Sequence, residues 1–401
     1  MENKPKVVMM GLGYIGLPTA ALIASRGLNV IGVDIREEVV ETINKGEIHI
    51  VEPDLDGLVH HVVKEGHLKA SIAPVEADVY LLAVPTPFKE NHVPDLSYVS
   101  AAAKKIIPTL KKGSLVILES TSPVGTTQKI QNLIFKERPE LEGHIYIAYC
   151  PERVLPGNII HELKHNDRAI GGIDEASTQK AINFYKHFVV GELHRTNART
   201  AEMVKLVENA SRDNQIAFAN ELSMICDKAG IDVWELIRLA NKHPRVNILR
   251  PGTGVGGHCI AVDPWFIVSE FPEEAQLIRK SREINNYKTQ WVLEKVKNEA
   301  LQFKIKNGKE AIIACMGLAF KPDIDDLRES PALYVAQELK KQGFQTLEVE
   351  PNLVSTKEYP LISINEAIKK ADIIVYLVGH KGFKNLKIVN SKPVLDFVGI
   401  N

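Results

Sequence analysis

The residues able to do chemistry in this sequence gather in two glycine-rich segments and on one helical stripe. In the first segment, Gly11-Leu12-Gly13-Tyr14-Ile15-Gly16 follows an apolar run and opens a helical stretch. Its first glycine permits a tight turn, its second lets backbone approach a pyrophosphate, and its third allows close strand–helix packing. A dinucleotide's phosphates then meet the N–H groups and positive end of the helix. Asp34 closes the next apolar run, 18 residues after Gly16, where a carboxylate bonds ribose hydroxyls. That carboxylate repels the extra phosphate of NADP, so NAD is the expected cofactor, with NADP a lesser alternative because Arg36 stands nearby. Thr86 follows one later strand candidate, and Ser120-Thr121-Ser122 follows another, where hydroxyls serve either a cofactor or an ordinary turn.

The second segment is Gly252-Thr253-Gly254-Val255-Gly256-Gly257-His258-Cys259, followed by Asp263 and Pro264. So many glycines point to backbone that must approach something closely. A thiol at the end of such a loop suits nucleophilic catalysis, given a nearby cation to raise its thiolate fraction. The same segment also fits a small buried thiol beside a structural turn, and the residues alone leave the two open. Lys205, Asn209 and Arg212 fall at i, i+4 and i+7 of a helical stretch with apolar flanks, one polar stripe. If that stripe faces a cleft, Lys205 can stabilise an oxyanion or exchange a proton and Asn209 can donate a hydrogen bond. A solvated face is the plainer alternative. Arg153, Arg245 and Lys321 are further cations suited to a diphosphate or sugar.

These residues need a scaffold, and the apolar pattern supplies one. Strands are expected over Lys6–Met10, Asn29–Asp34, Val79–Val84, Leu115–Glu119 and Ile145–Tyr149, with a helix over Leu17–Arg26 between the first two. This rhythm predicts a parallel sheet covered by helices. A helix over Ala198–Ala229 follows, with Ala201, Val204, Val207, Ala210, Ala217 and Leu222 as its buried face. At about 1.5 Å per residue it spans roughly 45 Å, enough to tie two domains together. Helical sequence continues over Val233–Asn241 and Ala275–Phe303. Strand and helix then alternate again: Ala311–Met316, Pro331–Gln342, Thr346–Val349 and Ile373–Val378. The chain therefore reads as two similar α/β halves around a helical middle.

With 401 residues, two or three domains are expected. A net charge of -1 offers no general pull toward nucleic acid or an anionic membrane. The polar start Met1–Lys6 has no signal-peptide pattern, and no apolar run is long enough to span a membrane. The four cysteines, Cys150, Cys226, Cys259 and Cys315, lack paired CxxC spacing, so neither a metal site nor a disulfide framework is expected. Reduced thiols in a cytoplasm fit this usage.

Taken together, the segments resemble the UDP-glucose/GDP-mannose dehydrogenase family over essentially the whole chain. The resemblance rests on five separated motifs in order: Gly11–Pro18; Pro151-Glu152-Arg153-Val154-Leu155-Pro156-Gly157; His243-Pro244-Arg245-Val246-Asn247; Gly254–Pro264; and Gly317-Leu318-Ala319-Phe320-Lys321-Pro322 leading to Asp326–Ser330. It implies an N-terminal Rossmann-type NAD-binding domain over 1–195, a central helical dimerisation domain with a long connecting helix over 196–303, and a C-terminal Rossmann-like, UDP-sugar-binding α/β domain over 304–401. It also implies a homodimer and a four-electron oxidation of a UDP-amino-sugar with two NAD in succession, the acid entering surface polysaccharide. The expected substrate is UDP-N-acetyl-D-mannosamine, with its gluco epimer as the alternative. By similarity Cys259 is the nucleophile, Lys205 the proton-exchanging or oxyanion-stabilising lysine, and Asp263 and Thr121 help place the hydrolytic water, with Asn209 nearby. Tyr14, Ile15, Asp34, Thr86, Thr127 and Arg328 match cofactor positions beside Gly11, Gly13 and Gly16. Arg153, Val154, Arg212, His243, Arg245, Gly256, Phe320 and Lys321 match substrate positions. The tail Asp396-Phe397-Val398-Gly399 lacks the basic residue many relatives carry, which leaves a C-terminal contact to UDP open. Two rivals outside this reading are a two-electron 3-hydroxyacid dehydrogenase, which needs no reactive thiol, and a non-catalytic NAD-binding sensor.

Overall fold

The computed structural model describes residues 4–50, 52–89, 92–154, 157–355, 357, 359–388 and 391–400. Leu155 and Pro156, within one motif above, and Met1–Asn3 of the N-terminus lie outside the described residues. Backbone contacts divide the chain into two compact units, Met1–Glu208 and Asn209–Asn401.

The first unit carries strands β1 (Val7–Met10), β2 (Val30–Val33), β3 (Leu68–Ser71), β4 (Val79–Leu82), β5 (Leu115–Leu118), β6 (Tyr146–Tyr149), β7 (Arg168–Gly172) and β8 (Leu193–Asn197). Its helices are α1 (Gly16–Ser25), α2 (Glu37–Asn44), α3 (Leu55–Lys64), α4 (Ser97–Ile106), α5 (Thr126–Glu137), α6 (Ile159–His165) and α7 (Glu175–Tyr185), and α8 (Ala198–Ala229) begins here. The strands form one sheet in the order β3-β2-β1-β4-β5-β6-β7-β8. Val7 and Met9 face one hydrophobic core and Val8 and Met10 the other, so continuous apolar strands are needed where both faces are covered. The order reverses between β2-β1 and β4-β5, which places a ligand crevice at the carboxyl ends of β1 and β4.

The five expected strands pair parallel, and the sheet extends beyond them: β7 joins β6 antiparallel, and β7 and β8 then run parallel to each other. The connecting segment packs its short helix α6 against α1 instead of returning along the sheet. A seven-residue helix is too short for a full crossover. The strands β3, β7 and β8 lack the unbroken apolar run of the others: β3 and β8 carry charged or polar residues, as in Leu-Lys-Ala-Ser and Leu-His-Arg-Thr-Asn, and β7 ends in two glycines.

The second unit holds the rest of α8, then α9 (Val233–Ala240), α10 (Asp263–Glu270), α11 (Gln276–Asn307), β9 (Ile312–Met316), α12 (Pro331–Lys341), β10 (Gln345–Val349), α13 (Ile364–Lys370), β11 (Ile373–Tyr376) and β12 (Val394–Asp396). Its parallel sheet runs β10-β9-β11-β12, the same pattern as β2-β1-β4-β5. The repetition extends to detail. Gly11 and Gly317 both follow a first strand with φ of +94°. The next N–H, of Leu12 or Leu318, donates to a carboxylate at the end of the second strand, Asp34 at 3.2 Å and Glu350 at 2.8 Å. Glu350 is enclosed further: His380 Nε2 donates to it at 2.9 Å, because His380 Nδ1 accepts the Asp323 N–H at 2.9 Å. Asn352 supplies its other oxygen with two more donors.

Along α8, Ala201, Ala210 and Ala217 are buried as expected, but Val207 is exposed. It shares a face with Phe218 and Ile225, eleven and eighteen residues further along, and all three face outward. No described helix is long and apolar enough to cross a membrane.

At the carboxyl end of β5, Glu119 accepts the Tyr185 hydroxyl proton at 2.6 Å while its other oxygen is buried without a hydrogen-bond partner. Burial pushes its carboxyl up to about 7, against the pull of the nearby Arg168 guanidinium. A carboxyl raised in the folded chain contributes stability when protonated, and that contribution is lost as pH rises from the unfolded value toward and past the folded one. Glu119→Gln is therefore expected to gain on the parent chain as pH rises, with urea midpoints at about pH 5 and about pH 8 as the check. An equal offset at both pH values excludes this role for Glu119.

Candidate active site

In the first unit the glycine turn has the geometry of a phosphate cradle. A Cβ on Gly11 would lie 2.5 Å from the Ala83 carbonyl oxygen, across the β1–β4 crevice, whereas Gly13 has open space around that position. The first turn of α1 carries no acidic residue, so its positive end is left for an anionic ligand. Tyr14 is exposed and Ile15 half-buried at that end. Asp34 lies beside the turn, its second oxygen accepting the N–H of Arg36 at 3.0 Å and Nε of the same residue at 3.3 Å. Burial opposes its ionisation, but these donors and the Leu12 N–H outweigh it and hold the carboxyl low. Arg36 thus pairs with the ribose-binding candidate instead of projecting away from it.

Three loops at the carboxyl edge are tied down by carboxylates. Glu202 on α8, fully buried, accepts the N–H and hydroxyl of Thr127, both at 2.7 Å, and the Gly125 N–H at 2.5 Å. Thr127 is itself buried, its hydroxyl proton committed to Glu202. Glu52 accepts the N–H groups of Gly157 and Ile159 at 2.9 and 2.8 Å. Glu152 pairs with buried Arg168 at 3.1 Å and takes the Arg153 N–H at 2.7 Å. Arg153 reaches Glu208 and the Asp167 carbonyl, with Val154 half-buried beside it. Thr86 and Thr121, both half-buried, flank the crevice after β4 and β5, and Ser120 links those strand ends through its 2.7 Å bond to the Val84 carbonyl.

In the second unit the thiol loop lies against the Gly317–Pro331 segment. A Cβ on Gly256 would fall 2.4 Å from the Glu329 carbonyl oxygen, and one on Gly257, at φ +79°, 2.9 Å from the Phe320 ring. The Gly257 N–H donates to the Arg328 carbonyl at 3.0 Å, and the Arg328 side chain forks onto Asp326. Gly256, Phe320 and Arg328 are therefore brought together, with Lys321 exposed on the same segment. Cys259 precedes α10 by one turn, its carbonyl accepting the Asp263 N–H at 2.8 Å. Asp263 is 3% exposed, and its carboxylate accepts from Asn209 Nδ2 at 2.6 Å. Three residues of the predicted catalytic set, Cys259, Asp263 and Asn209, thus form one cluster. Lys205 stands one turn before Asn209 on α8, half-buried, in the first unit; Arg212 is exposed. His243 and Arg245 lie on an exposed turn after α9, where the Arg245 N–H donates to His243 Nδ1 at 3.3 Å.

The cysteines separate by environment. Cys150, Cys226 and Cys315 are buried, and burial pushes each thiol up, Cys150 to about 11. Cys259 is half-buried. The residues overlooked in the sequence are the buried carboxylates and amides that hold these loops. Glu202 carried one signal, a charge beside Ala201 and four residues before Leu206 on an otherwise apolar face.

Three family models cover most of the chain: the NAD binding domain of the UDP-glucose/GDP-mannose dehydrogenase family over residues 5–189, its central domain over 199–287 and its UDP binding domain over 314–400. A UDP-N-acetyl-D-mannosamine dehydrogenase of Campylobacter jejuni is 56% identical, with 99% of this chain and 100% of the relative covered. An NDP-N-acetyl-D-galactosaminuronic acid dehydrogenase of Ralstonia nicotianae is 53% identical, with 98% and 96% covered. Among solved structures, a UDP-D-ManNAc dehydrogenase of Pyrococcus horikoshii superimposes with a TM-score of 0.89 at 39% identity, covering 99% of this chain and 96% of that one.

The difference in thiol environment has a direct readout. A brief pulse of iodoacetamide on the native protein is expected to label Cys259 ahead of the other three, which react only after unfolding. Peptide mass spectrometry counts the label at each position, and equal labelling of Cys150 or Cys315 in the native state contradicts the assignment.

Proposed function

The chain belongs to the UDP-glucose/GDP-mannose dehydrogenase family, and we propose that it oxidises UDP-N-acetyl-D-mannosamine at C6 to the uronate through a covalent bond to Cys259. The observation that supports this reading is that half-buried Cys259 stands one turn before Asp263, to whose N–H its carbonyl is bonded and whose carboxylate pairs with Asn209 at 2.6 Å. The sugar comes from the 56% identical Campylobacter relative, named for that substrate. On this reading the cofactor domain is 1–195, the helical dimerisation core 196–303 and the UDP-sugar domain 304–401.

NAD, held by the Gly11–Gly16 turn and Asp34 with Tyr14, Ile15, Thr86, Thr127 and Arg328, supplies the two-electron acceptor for each of two oxidations. Lys205 takes the proton of the C6 hydroxyl as the alcohol becomes an aldehyde. The Cys259 thiolate then adds to the aldehyde carbon, forming a C–S bond, and Lys205 and Asn209 hold the resulting oxyanion. Loss of the second electron pair gives a thioester. Asp263 and Thr121 place the water whose attack breaks the C–S bond, releasing carboxylate and thiol. Covalent capture keeps the reactive aldehyde in place between the two oxidations. Arg153, Arg212, His243, Arg245 and Lys321 bind the sugar and diphosphate, with Val154, Gly256 and Phe320 shaping the pocket.

The reaction runs in the cytoplasm, and the acid feeds glycosyl transfer into surface polysaccharide. A homodimer is part of this reading, supported by the outward apolar row of Val207, Phe218 and Ile225 on α8 and by exposed Leu239 and Leu277.

Two outcomes are expected. The purified chain forms two NADH per acid from UDP-N-acetyl-D-mannosamine, faster than from the gluco epimer or a galacto-configured nucleotide sugar. Cys259→Ser binds the sugar nucleotide but makes no acid. A ratio of one NADH per product, or normal acid formation by that variant, overturns the reading. Sedimentation velocity of the parent chain and of Phe218→Glu is expected to give dimer and monomer respectively; a monomeric parent chain removes the dimer.

A further inference from the structure

A loop as rich in glycine as Gly252–Cys259 loses much chain entropy on ordering and cannot hold a thiol in place by itself. Its fixed points come from outside. The Gly252 N–H donates to Asn220 Oδ1 at 2.9 Å, the Thr253 hydroxyl to the Leu377 carbonyl at 2.6 Å, and the Gly257 N–H to the Arg328 carbonyl at 3.0 Å. Two of these acceptors are backbone carbonyls, whose direction the strand end and loop dictate. The third is a side-chain amide, which has to be oriented.

Its orientation is set by a chain of buried groups between α8 and α11. Asn220 Nδ2 donates to Asn285 Oδ1 at 2.9 Å. Asn285 Nδ2 in turn donates to the Asp213 carboxylate at 2.7 Å and to the Asp213 carbonyl at 3.1 Å. Arg282 Nη1 completes the series, donating to the same carboxylate oxygen at 2.6 Å. All four residues are at most 2% exposed. A carboxylate only accepts, so Asn285 must turn its NH2 toward Asp213, which leaves its oxygen for Asn220. Asn220 must then turn its NH2 toward Asn285, which leaves its own oxygen for Gly252. Reversing either amide sets like groups against each other in a dry interior. Burial raises the Asp213 carboxyl above its ordinary value, and Arg282 and Asn285 pull it back. A buried ion pair is a poor device for stability and a good one for fixing a single arrangement.

We propose that Asn220 is a positioning residue for the Cys259 loop, its amide oriented by the Arg282–Asp213 pair through Asn285. The proposal rests on the reading of Cys259 as the nucleophile. Gly256 of the same loop shapes the sugar pocket, so the comparison is made at saturating sugar nucleotide; there the thiol is required only once the aldehyde exists, and a misplaced loop slows the second oxidation and leaves the first.

The test is single-turnover oxidation by the full chain, with the two NADH phases resolved and hydroxylamine present to trap any aldehyde. In Asn220→Ala, and in near-isosteric Asp213→Asn acting from the far end of the chain of bonds, the second phase is expected to slow by roughly 10²-fold with the first little changed. Trapped aldehyde is expected to appear, and Cys259 alkylation to quicken as the loop loosens. The proposal is overturned if both phases slow together, or if neither changes while alkylation keeps its parent rate. Failure of both variants to fold also overturns it, since the chain of bonds then serves stability and not placement. Cys259→Ser separates the two claims. If it still makes acid, the nucleophile reading fails, whereas alkylation in Asn220→Ala continues to report loop placement.

Discussion

Between Phe320 and the backbone of Gly256 and Gly257 there is no room for one more carbon atom, and much of the second unit follows from that contact. Only glycine fits there, and glycine brings a loop that would wander if left to itself. The loop therefore borrows its fixed points from α8, from the end of β11 and from the segment after β9. Those helices must then carry polar groups through a dry interface, which is why α8 and α11 meet over Asn220–Asn285, Asp213–Arg282 and Lys288–Ser223. Hydrophobic residues would join the helices with less desolvation, but they cannot point a donor or acceptor at the loop.

The first unit solves the same problem with carboxylates. Glu202 on α8 and Glu52 before α3 accept N–H groups from loops far along the chain, and Glu152 ties its own loop to Arg168 at the start of β7. Anchoring the loops of the nucleotide crevice to strand ends in this way lowers the ordering cost of binding.

Much of this could be read from the sequence because it is periodic or punctuated. The long helix Ala198–Ala229 announces itself by spacing, and β1, β4 and β5 by unbroken apolar runs with two covered faces. The glycine turn, Asp34 and the thiol loop stand at element ends, where residue type alone carries meaning. What escaped is what depends on tertiary pairing. Nothing local marks Asp213 or Arg282 as buried, since each is an ordinary helix residue until its partner on the other helix is known. Val207 was misplaced for the related reason that an apolar residue one position off the buried stripe faces outward. Strands β7 and β8 were hidden because only their neighbours, not their residues, make them strands.

The pairing of a glycine turn with an acid at the next strand end occurs twice, and the copies have diverged. In the N-terminal copy Asp34 keeps an edge toward the crevice. In the C-terminal copy His380 packs onto Glu350, whose negative charge is dispersed over three peptide N–H groups, an amide and an imidazole. The repeated module thus carries two buried acids at matching strand ends, one paired with an arginine and one enclosed by a histidine, so an anionic guest meets a more fully masked charge at the second.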